Sequence, residues 1–374
     1  MKQRCLLGPR VNWACQKKGD SSRRQTMIAI GADVHQQQCT LAVQRPDGKL
    51  SMLPSMENTR ENWLELLTQL PPEAQIALEV STSGHFVMSV LEEAGWRDRA
   101  HWVHTAGIDS LRKQKTDRLD AKRLARKLSV REQDPLPEAW FPPRPIRELR
   151  LRARQRCWVA VLRTRVKNRV RSLLQMSGVG AGTNPFTASG RTWLKNQKLS
   201  EATRESVEQL LRFHDFLTTE REKSETSLRG MEKDFPEIAR LQTLPGLGHI
   251  LSAVIWSEIG ELKRFDSPRA LVNYTGLAPS LYESGERSVR GGITRQGPVW
   301  LRWALITAVN AATRGDNAFA RRYRRLRRHK LPNVAKTAVA RSIARCAYGV
   351  LKHGVDYQEQ RWGRKAGIEM EQEA

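Results

Sequence analysis

The amino-acid sequence predicts an α/β domain followed by two largely helical segments, and three patterns support this prediction. Residues 27–130 alternate short apolar runs with turn signals and amphipathic stretches, which is the pattern of a sheet flanked by helices. A proline-rich stretch at 131–145 then indicates a stiff linker. Beyond it, apolar residues recur at helical spacing, and the 374 residues suffice for two or three domains with cores of their own.

The elements of the α/β domain follow from local signals. Residues 27–34 are a short apolar strand, and the Asp47-Gly48 turn within 39–53 predicts a hairpin of two strands. The remaining elements are a helix at 60–70, a strand at 74–80, a helix at 84–95, a strand at 99–104 and a helix at 115–128. Three antiparallel strands followed by helix, strand, helix, strand, helix is the element order of an RNase H-like fold, which we predict for residues 27–135.

The second half is predicted to be helical. A basic helix at 144–176 and a helical stretch at 199–232 flank a glycine-rich break, so residues 144–235 are expected to form a helical hairpin or short coiled coil. Residues 240–355 are expected to form a mostly α-helical domain. It begins with a helix-hairpin-helix-like element, whose turn at 245–248 would point backbone amides at a phosphate. A loop at 280–297, a helix beginning at Pro298 and a basic helix at 321–330 follow.

Charge and composition limit the classes of binding partner that the protein can have. The net charge of +25 indicates that the binding partner is a polyanion. No apolar run approaches the length that spans a bilayer, so nucleic acid is favoured over a membrane as that partner. The five cysteines are scattered, which argues against a zinc site or a disulfide framework. Residues 1–26 are expected to be a disordered basic tail, and they lack the apolar region of a secretory signal. Residues 356–374 are expected to be a second tail. The protein is expected to be cytoplasmic.

Four carboxylates form a candidate metal site. Asp33 ends the first strand, Glu79 ends the fourth, and Asp117 and Asp120 begin the last helix of the α/β domain. In an RNase H-like sheet these positions converge, and close carboxylates are tolerated when a divalent cation neutralises them. Oxygen ligands suit Mg²⁺, with Mn²⁺ as the second choice. The alternative is four unrelated acidic residues paired with nearby arginines, and the sequence pattern leaves both interpretations open.

Two further residues are weaker candidates. His35 follows Asp33 by two residues and is placed at the periphery of the metal site. Ser284 lies in a loop rich in glycine and arginine with no histidine nearby to act as a base, and Ser288 offers an equally good hydroxyl. If Ser284 attacks phosphorus, the metal site must supply the activation. An ordinary Ser-Gly turn explains the same residues.

Three basic elements, at 144–171, 287–302 and 321–330, are predicted to contact nucleic acid, because their positive charges do not alternate with acidic ones. The candidate contact residues are Lys115, Arg165, Arg169, Arg287, Arg290, Arg295, Arg302, Arg321, Arg322, Arg324 and Arg325.

Six stretches of the chain resemble a known family. They are IGADVHQQQCTLAV, ALEVSTSGHF, KTDRLDAKRLA, LQTLPGLGHILSAVIWSEIG, FDSPRALVNYTGLAPSLYESG and GGITRQGPVWLRWAL. In this order they are similar to the transposases of the IS110 insertion sequences, in particular those of the IS1111 subgroup. The resemblance covers about residues 27–355, and the six stretches together make it specific although each is weak alone.

The resemblance implies a RuvC-like N-terminal domain with a D-E-D-D metal site, which here would be Asp33, Glu79, Asp117 and Asp120. It also implies a coiled coil that mediates assembly into a dimer and then a tetramer, and a C-terminal transposase domain whose catalytic serine would be Ser284. Members of the family look like recombinases guided by a structured RNA from the element's non-coding end, which pairs with target and donor DNA. The implied location is the bacterial cytoplasm, at the nucleoid.

The resemblance further implies a division of labour between subunits. Ser284 would attack a DNA phosphate to form a phosphoserine linkage, while Mg²⁺ at the carboxylates of a partner subunit activates the same phosphate. Two other functions remain open on the residues themselves. One is a junction-resolving nuclease that uses the same carboxylates with water as the nucleophile. The other is a non-catalytic nucleic-acid-binding scaffold, which would be indifferent to Mg²⁺.

Overall fold

The structure is a computed structural model. It describes residues 27–104, 116–180, 182–284 and 287–359, with the backbone alone at 281–284 and 287–290. The chain divides into two compact units between Phe141 and Pro142. None of the helices in the described ranges combines the length and apolar character that crossing a bilayer requires.

The first unit contains a mixed sheet and three helices. Its elements are β1 (Ile28–Val34), β2 (Gln38–Gln44), β3 (Leu50–Met52), β4 (Met56–Glu57), α1 (Arg60–Gln69), β5 (Ala74–Glu79), α2 (Thr82–Glu93), β6 (Ala100–Val103) and α3 (Asp117–Ser129). Apart from the two-residue β4, these are the elements that the sequence predicts. The α/β prediction for this half of the chain is therefore confirmed.

The sheet order is β3-β2-β1-β5-β6, with β4 paired to β2. β2 runs antiparallel to β1, whereas β5 runs parallel to β1 and β6 parallel to β5. Because side chains alternate along a strand, each strand faces both layers. Even-numbered residues of β1 and β5 pack in one core with α1 and α2, and Ala29 and Ala77 pack with α3 on the other face.

The segment after α3 completes this unit. The backbone of residues 137–139 lies along the edge strand β6, where Val103 and Glu138 form an antiparallel bridge. Phe141 is 3% exposed and its ring meets those of Trp102 and His85 edge-on. The proline-rich stretch that the sequence indicates as a linker therefore contributes a side chain to the core of the α/β unit.

The second unit is helical except for one hairpin. Its elements are α4 (Arg144–Met176), α5 (Ala188–Lys195), α6 (Glu201–Met231), α7 (Pro236–Gln242), α8 (His249–Ile259), α9 (Pro268–Tyr274), β7 (Pro279–Ser284), β8 (Arg287–Ile293), α10 (Val299–Ala312), α11 (Ala318–Arg327) and α12 (Pro332–His353). The prediction of a mostly helical C-terminal half is confirmed. The predicted loop at 280–297 is corrected, because β7 and β8 pair there as antiparallel strands.

The long helices α4 and α6 pack side by side in antiparallel directions. Val159 and Val166 of α4 share a buried cluster with Leu217 of α6. Nearer the N-terminus of α4 and the C-terminus of α6, Arg156 donates to Glu225 (Nε–Oε1 3.0 Å). The buried residues of α6 include His214, and Leu210 is only partly buried. The interface between the two helices is therefore partly polar.

A buried carboxylate joins α4 to the helices beyond it. Glu258 of α8 is fully buried and accepts two hydrogen bonds from Arg154, at 2.7 and 2.9 Å. Arg150, one turn earlier on α4, donates to the backbone carbonyl of Ser257 at 2.9 Å. Bidentate arginine–carboxylate pairs fix orientation as well as distance. The base of α4 is therefore fixed on α8.

Candidate functional site

Two carboxylates lie at neighbouring strand ends on the same face of the sheet. Ala32 of β1 pairs with Leu78 of β5, so continuing the register by one residue places Asp33 level with Glu79. Both residues share the side-chain parity of Ala29 and Ala77, which pack with α3. The parallel pairing and the alternation of the strands thus direct both carboxylates to the layer that α3 occupies.

Helix α3 comes unusually close to β1 at Gly31. A Cβ atom at Gly31 would lie 2.1 Å from the carbonyl oxygen of Ala121 and 2.4 Å from the amide nitrogen of Ala125, so only glycine fits. Ala121, Leu124 and Leu128 form the buried stripe of α3. Asp117 is exposed and lies one turn before Ala121 on the same side of the helix, and Thr116 caps the helix by accepting from the backbone N–H of Leu119. The close approach brings the first turn of α3 to the strand ends.

His35 lies between two of the predicted carboxylates. Its Nε2 is 3.5 Å from Oδ2 of Asp33 and 3.5 Å from Oδ1 of Asp117. One donor atom from each of the three residues lies within 4.8 Å of the other two. Sequence reasoning placed His35 at the periphery. The signal that could have found it is its position at the turn that follows a strand-end aspartate.

The remaining carboxylates lie close enough to act on Asp33. Burial raises the pKa of the Asp33 carboxyl, and the negative charges of Asp117, Asp120 and Glu79 raise it further, while His35 opposes them. Asp120 is also engaged by Arg123 one turn along the helix (Nη1–Oδ1 2.9 Å). Of the four predicted residues, the structure brings Asp33 and Asp117 together with His35 in one cluster of donor atoms. Glu79 and Asp120 lie near enough for their charges to act on Asp33, and Asp120 is paired with Arg123.

This arrangement fits a divalent cation. Asp33 is 8% exposed, so its charge is held where water stabilises it poorly and where like charges oppose it. Three donor atoms within 4.8 Å of one another can turn to a common centre. Carboxylate oxygens are the ligands that Mg²⁺ and Mn²⁺ take in proteins, usually together with water and substrate phosphate.

Ser284 is the last residue of β7, and its backbone pairs with Arg287 of β8 across the hairpin. Its side chain lies outside the described side chains, as do the side chains of Ser288, Arg287 and Arg290. The structure therefore places the predicted nucleophile beside the tip of an antiparallel hairpin, where the sequence indicated a loop.

The predicted nucleic-acid contacts differ in how their side chains are used. Arg165 and Arg169 are exposed on α4, and Arg295 is exposed just before α10 with a left-handed backbone (φ 56°). Arg302 instead donates to the backbone carbonyls of Thr275 (3.4 Å) and Arg295 (3.2 Å). Lys115 lies outside the described residues.

Helix α11 shows a further difference from the sequence pattern. Arg321 and Arg324 are at least half exposed and both pair with Asp316 at the start of the helix. Arg325 is partly buried, and Arg322 is only 7% exposed. The sequence predicts all four arginines as nucleic-acid contacts, but Arg322 lies on the buried side of the helix.

Two family models match the chain one after the other. A model for the DEDD transposase of IS110 elements, described as "Transposase", matches residues 30–177. A model described as "Transposase IS116/IS110/IS902 family" matches residues 238–324. The first includes β5, α3 and most of β1 with their carboxylates, and the second includes Ser284 and most of α11. Both models describe transposases of insertion sequences. The chain belongs to the IS110 family of transposases.

Curated relatives agree with this membership. The chain is 31% identical over 254 residues to "Putative transposase y4rJ" of Sinorhizobium fredii, which covers 61% of this chain and 63% of that protein. It is 31% identical over 90 residues to "Transposase for insertion sequence element IS1111A" of Coxiella burnetii (24% and 25%). It is 29% identical over 161 residues to "Transposase for insertion sequence element IS1328" of Yersinia enterocolitica (41% and 48%). The matches span between a quarter and just under two-thirds of these relatives' lengths.

Proposed function

We propose that this protein cuts and rejoins DNA to move an insertion sequence, with the α/β unit as a metal-dependent RNase H-like (RuvC-like) domain. The observation that carries the proposal is the convergence of Asp33, Glu79 and Asp117 where β1, β5 and α3 meet, in a chain of a transposase family. The strand order β3-β2-β1-β5-β6, with β1 parallel to β5, supports the RNase H-like assignment.

Residues of the α/β unit would hold the divalent cation that acts on the DNA phosphate where cleavage occurs. Asp33, Glu79, Asp117 and Asp120 would be the ligands, with Arg123 and His35 setting how much negative charge faces the substrate. Bound there, Mg²⁺ or Mn²⁺ would polarise the phosphate and stabilise charge on the departing oxygen. The buried position of Asp33 keeps one ligand fixed while the exposed Asp117 adjusts.

The nucleophile in this proposal is the Ser284 hydroxyl in a transposase domain at 240–355. Its oxygen forms an ester bond to phosphorus, one P–O bond to deoxyribose breaks, and the departing deoxyribose oxygen ends with the proton that serine loses. The number of phosphoester bonds is unchanged, so the reverse reaction can rejoin DNA without an external energy source. The helical hairpin at 144–235 would mediate assembly as a coiled coil, and a structured guide RNA would supply sequence specificity by base pairing.

The proposal is tested with Asp33→Asn, which keeps the shape of the side chain but removes its charge. We expect DNA cleavage to be lost, since the most buried carboxylate of the centre is gone, while DNA binding is retained. In EDTA the variant should melt no lower than the wild type, because a charge held near other carboxylates has been removed. Asp98→Asn, at an exposed aspartate elsewhere in the same unit, is the matched control and should cleave normally.

A contrary result is equally clear. Cleavage by Asp33→Asn at the wild-type rate, or full wild-type cleavage in EDTA, would remove the metal centre from the mechanism. Loss of DNA binding together with a lower melting temperature would mean that Asp33 supports the fold, and the metal-centre assignment would then have no support from this variant.

A further inference from the structure

We propose that His35 is a direct ligand of the cation in the carboxylate centre, and that its nitrogen makes the centre prefer Mn²⁺ to Mg²⁺. The inference rests on the proposed function, since it assumes that the centre holds a metal. It goes beyond the four carboxylates because it adds a nitrogen donor and a metal preference.

The donor atoms of His35 and its neighbours are spaced as ligands of one ion would be. Ligands bound at about 2.1 Å and at right angles lie about 3 Å apart, and those on opposite sides lie about 4 Å apart. Nε2 of His35 is 3.5 Å from an oxygen of Asp33 and from an oxygen of Asp117. Shifts of a few tenths of an ångström would therefore bring the three atoms to a common centre.

The backbone of His35 is fixed on both sides. Its N–H donates to the carbonyl of Gln38 at 3.0 Å, and its carbonyl accepts from Nδ2 of Asn58 at 2.9 Å. Oδ1 of Asn58 in turn accepts from the indole N–H of Trp63, a fully buried residue, at 2.9 Å. The turn that presents the imidazole is thus attached to the core of the sheet, as expected for a ligand that must be held in place.

Ligand chemistry gives the metal preference. Imidazole nitrogen binds first-row transition metals well, whereas Mg²⁺ takes oxygen ligands almost exclusively. Mn²⁺ accepts both kinds of donor and lies between these classes. A centre with several carboxylates and one imidazole should therefore bind Mn²⁺ more tightly than Mg²⁺, and removing the imidazole should narrow the difference.

A different role for His35 predicts the opposite sign. If the imidazole were only a positive counter-ion for Asp33 and Asp117, its removal would leave the carboxylates more negative. Metal binding would then become tighter in His35→Asn. Measuring the sign of the change in affinity therefore separates a ligand from a counter-ion.

The experiment is a Mn²⁺ titration of the full-length protein, alone and with duplex DNA, followed by electron paramagnetic resonance. We expect the wild type to bind Mn²⁺ at the carboxylate centre with modulation from a coordinated ¹⁴N nucleus. In His35→Asn that modulation should vanish and the Kd should rise by at least about tenfold. The affinity of His35→Asn for Mg²⁺, measured by competition with Mn²⁺, should fall by a smaller factor. His353→Asn, at an exposed histidine that ends α12 in the second unit, should behave as the wild type.

The outcomes distinguish the two levels of the argument. Mn²⁺ that binds the wild type without nitrogen modulation, or binds His35→Asn as tightly as the wild type, overturns the role of His35. If that Mn²⁺ is still lost in Asp33→Asn, the metal centre stands. Absence of any bound Mn²⁺ in the wild type, with and without DNA, overturns both. The nitrogen signal is read on the wild type, so the test does not depend on the variant folding.

Discussion

Replacing Gly31 by alanine tests the link between packing and the candidate site without touching a charge. The added methyl would lie 2.1 Å from the carbonyl oxygen of Ala121 and 2.4 Å from the amide nitrogen of Ala125, both backbone atoms that cannot turn aside. Ordinary contact requires about 3.5 Å, so α3 must move away from β1 by about 1 Å or more. Asp117 and Asp120 begin this helix and would move with it.

The displacement has two expected consequences. Overpacking of this kind costs about 1–3 kcal/mol of folding free energy, and each kcal/mol lowers the melting temperature of a small domain by roughly 4 °C. Misplacing catalytic groups by about 1 Å can cost on the order of 100-fold in rate. We therefore expect Gly31→Ala to fold with a lower melting temperature and to lose most of its cleavage activity.

The assay measures thermal unfolding and Mg²⁺-dependent cleavage of end-labelled DNA side by side. Gly230→Ala is the matched control, because a Cβ at this glycine within α6 meets no atom within 4 Å. That control should be neutral, or more stable by up to about 1 kcal/mol. A Gly31→Ala protein that melts and cleaves like the wild type would refute the account of how α3 is positioned.

Three further predictions concern the second unit and the assembly. Glu258→Gln should cost about 1–3 kcal/mol, because a fully buried side chain loses its charge-assisted hydrogen bonds to the partly exposed Arg154 and its ion pair with Arg150. Glu93→Gln, in the exposed pair with Arg60, should change stability by less than about 1 kcal/mol. Asp33→Asn and Ser284→Ala proteins, each inactive alone, should regain partial activity when mixed if the two groups act from different subunits, and no recovery would contradict that arrangement. Neutralising Arg321 and Arg324, two exposed arginines of α11, should reduce the slope of log K for DNA binding against log salt concentration by about 2, since each phosphate contact contributes about 0.9. An unchanged slope would mean that α11 does not contact DNA.

The α/β unit could be predicted from the sequence because its signals are local. The apolar run of β1 and the Asp47-Gly48 turn each fix an element within a few residues. The convergence of Asp33 with Glu79 also follows once β1 and β5 are taken as parallel neighbours, because register and alternation then decide the rest. These inferences needed pattern and topology, and no knowledge of side-chain contacts.

Other features depend on tertiary contacts that a single sequence does not show. His35 reaches Asp117 only because α3 packs tightly against Gly31, which links residues far apart in the chain. Arg322 is buried since Phe319 and Leu326 share its side of α11, and the run of arginines concealed that stripe. The sequence predicts a loop where β7 and β8 pair, because the many polar and glycine residues of this segment are typical of turns.

The central claim is that this chain joins itself to DNA through Ser284 with help from the carboxylate centre. The most direct measurement mixes purified protein and RNA from the element's non-coding end with end-labelled DNA and Mg²⁺, then denatures the mixture and separates it on a gel. The account predicts a protein–DNA adduct in the wild type and in Ser288→Ala, the nearest alternative hydroxyl, and none in Ser284→Ala. Cleaved DNA without an adduct, equal in all three proteins, would contradict it and indicate a metal-dependent hydrolase with water as the nucleophile.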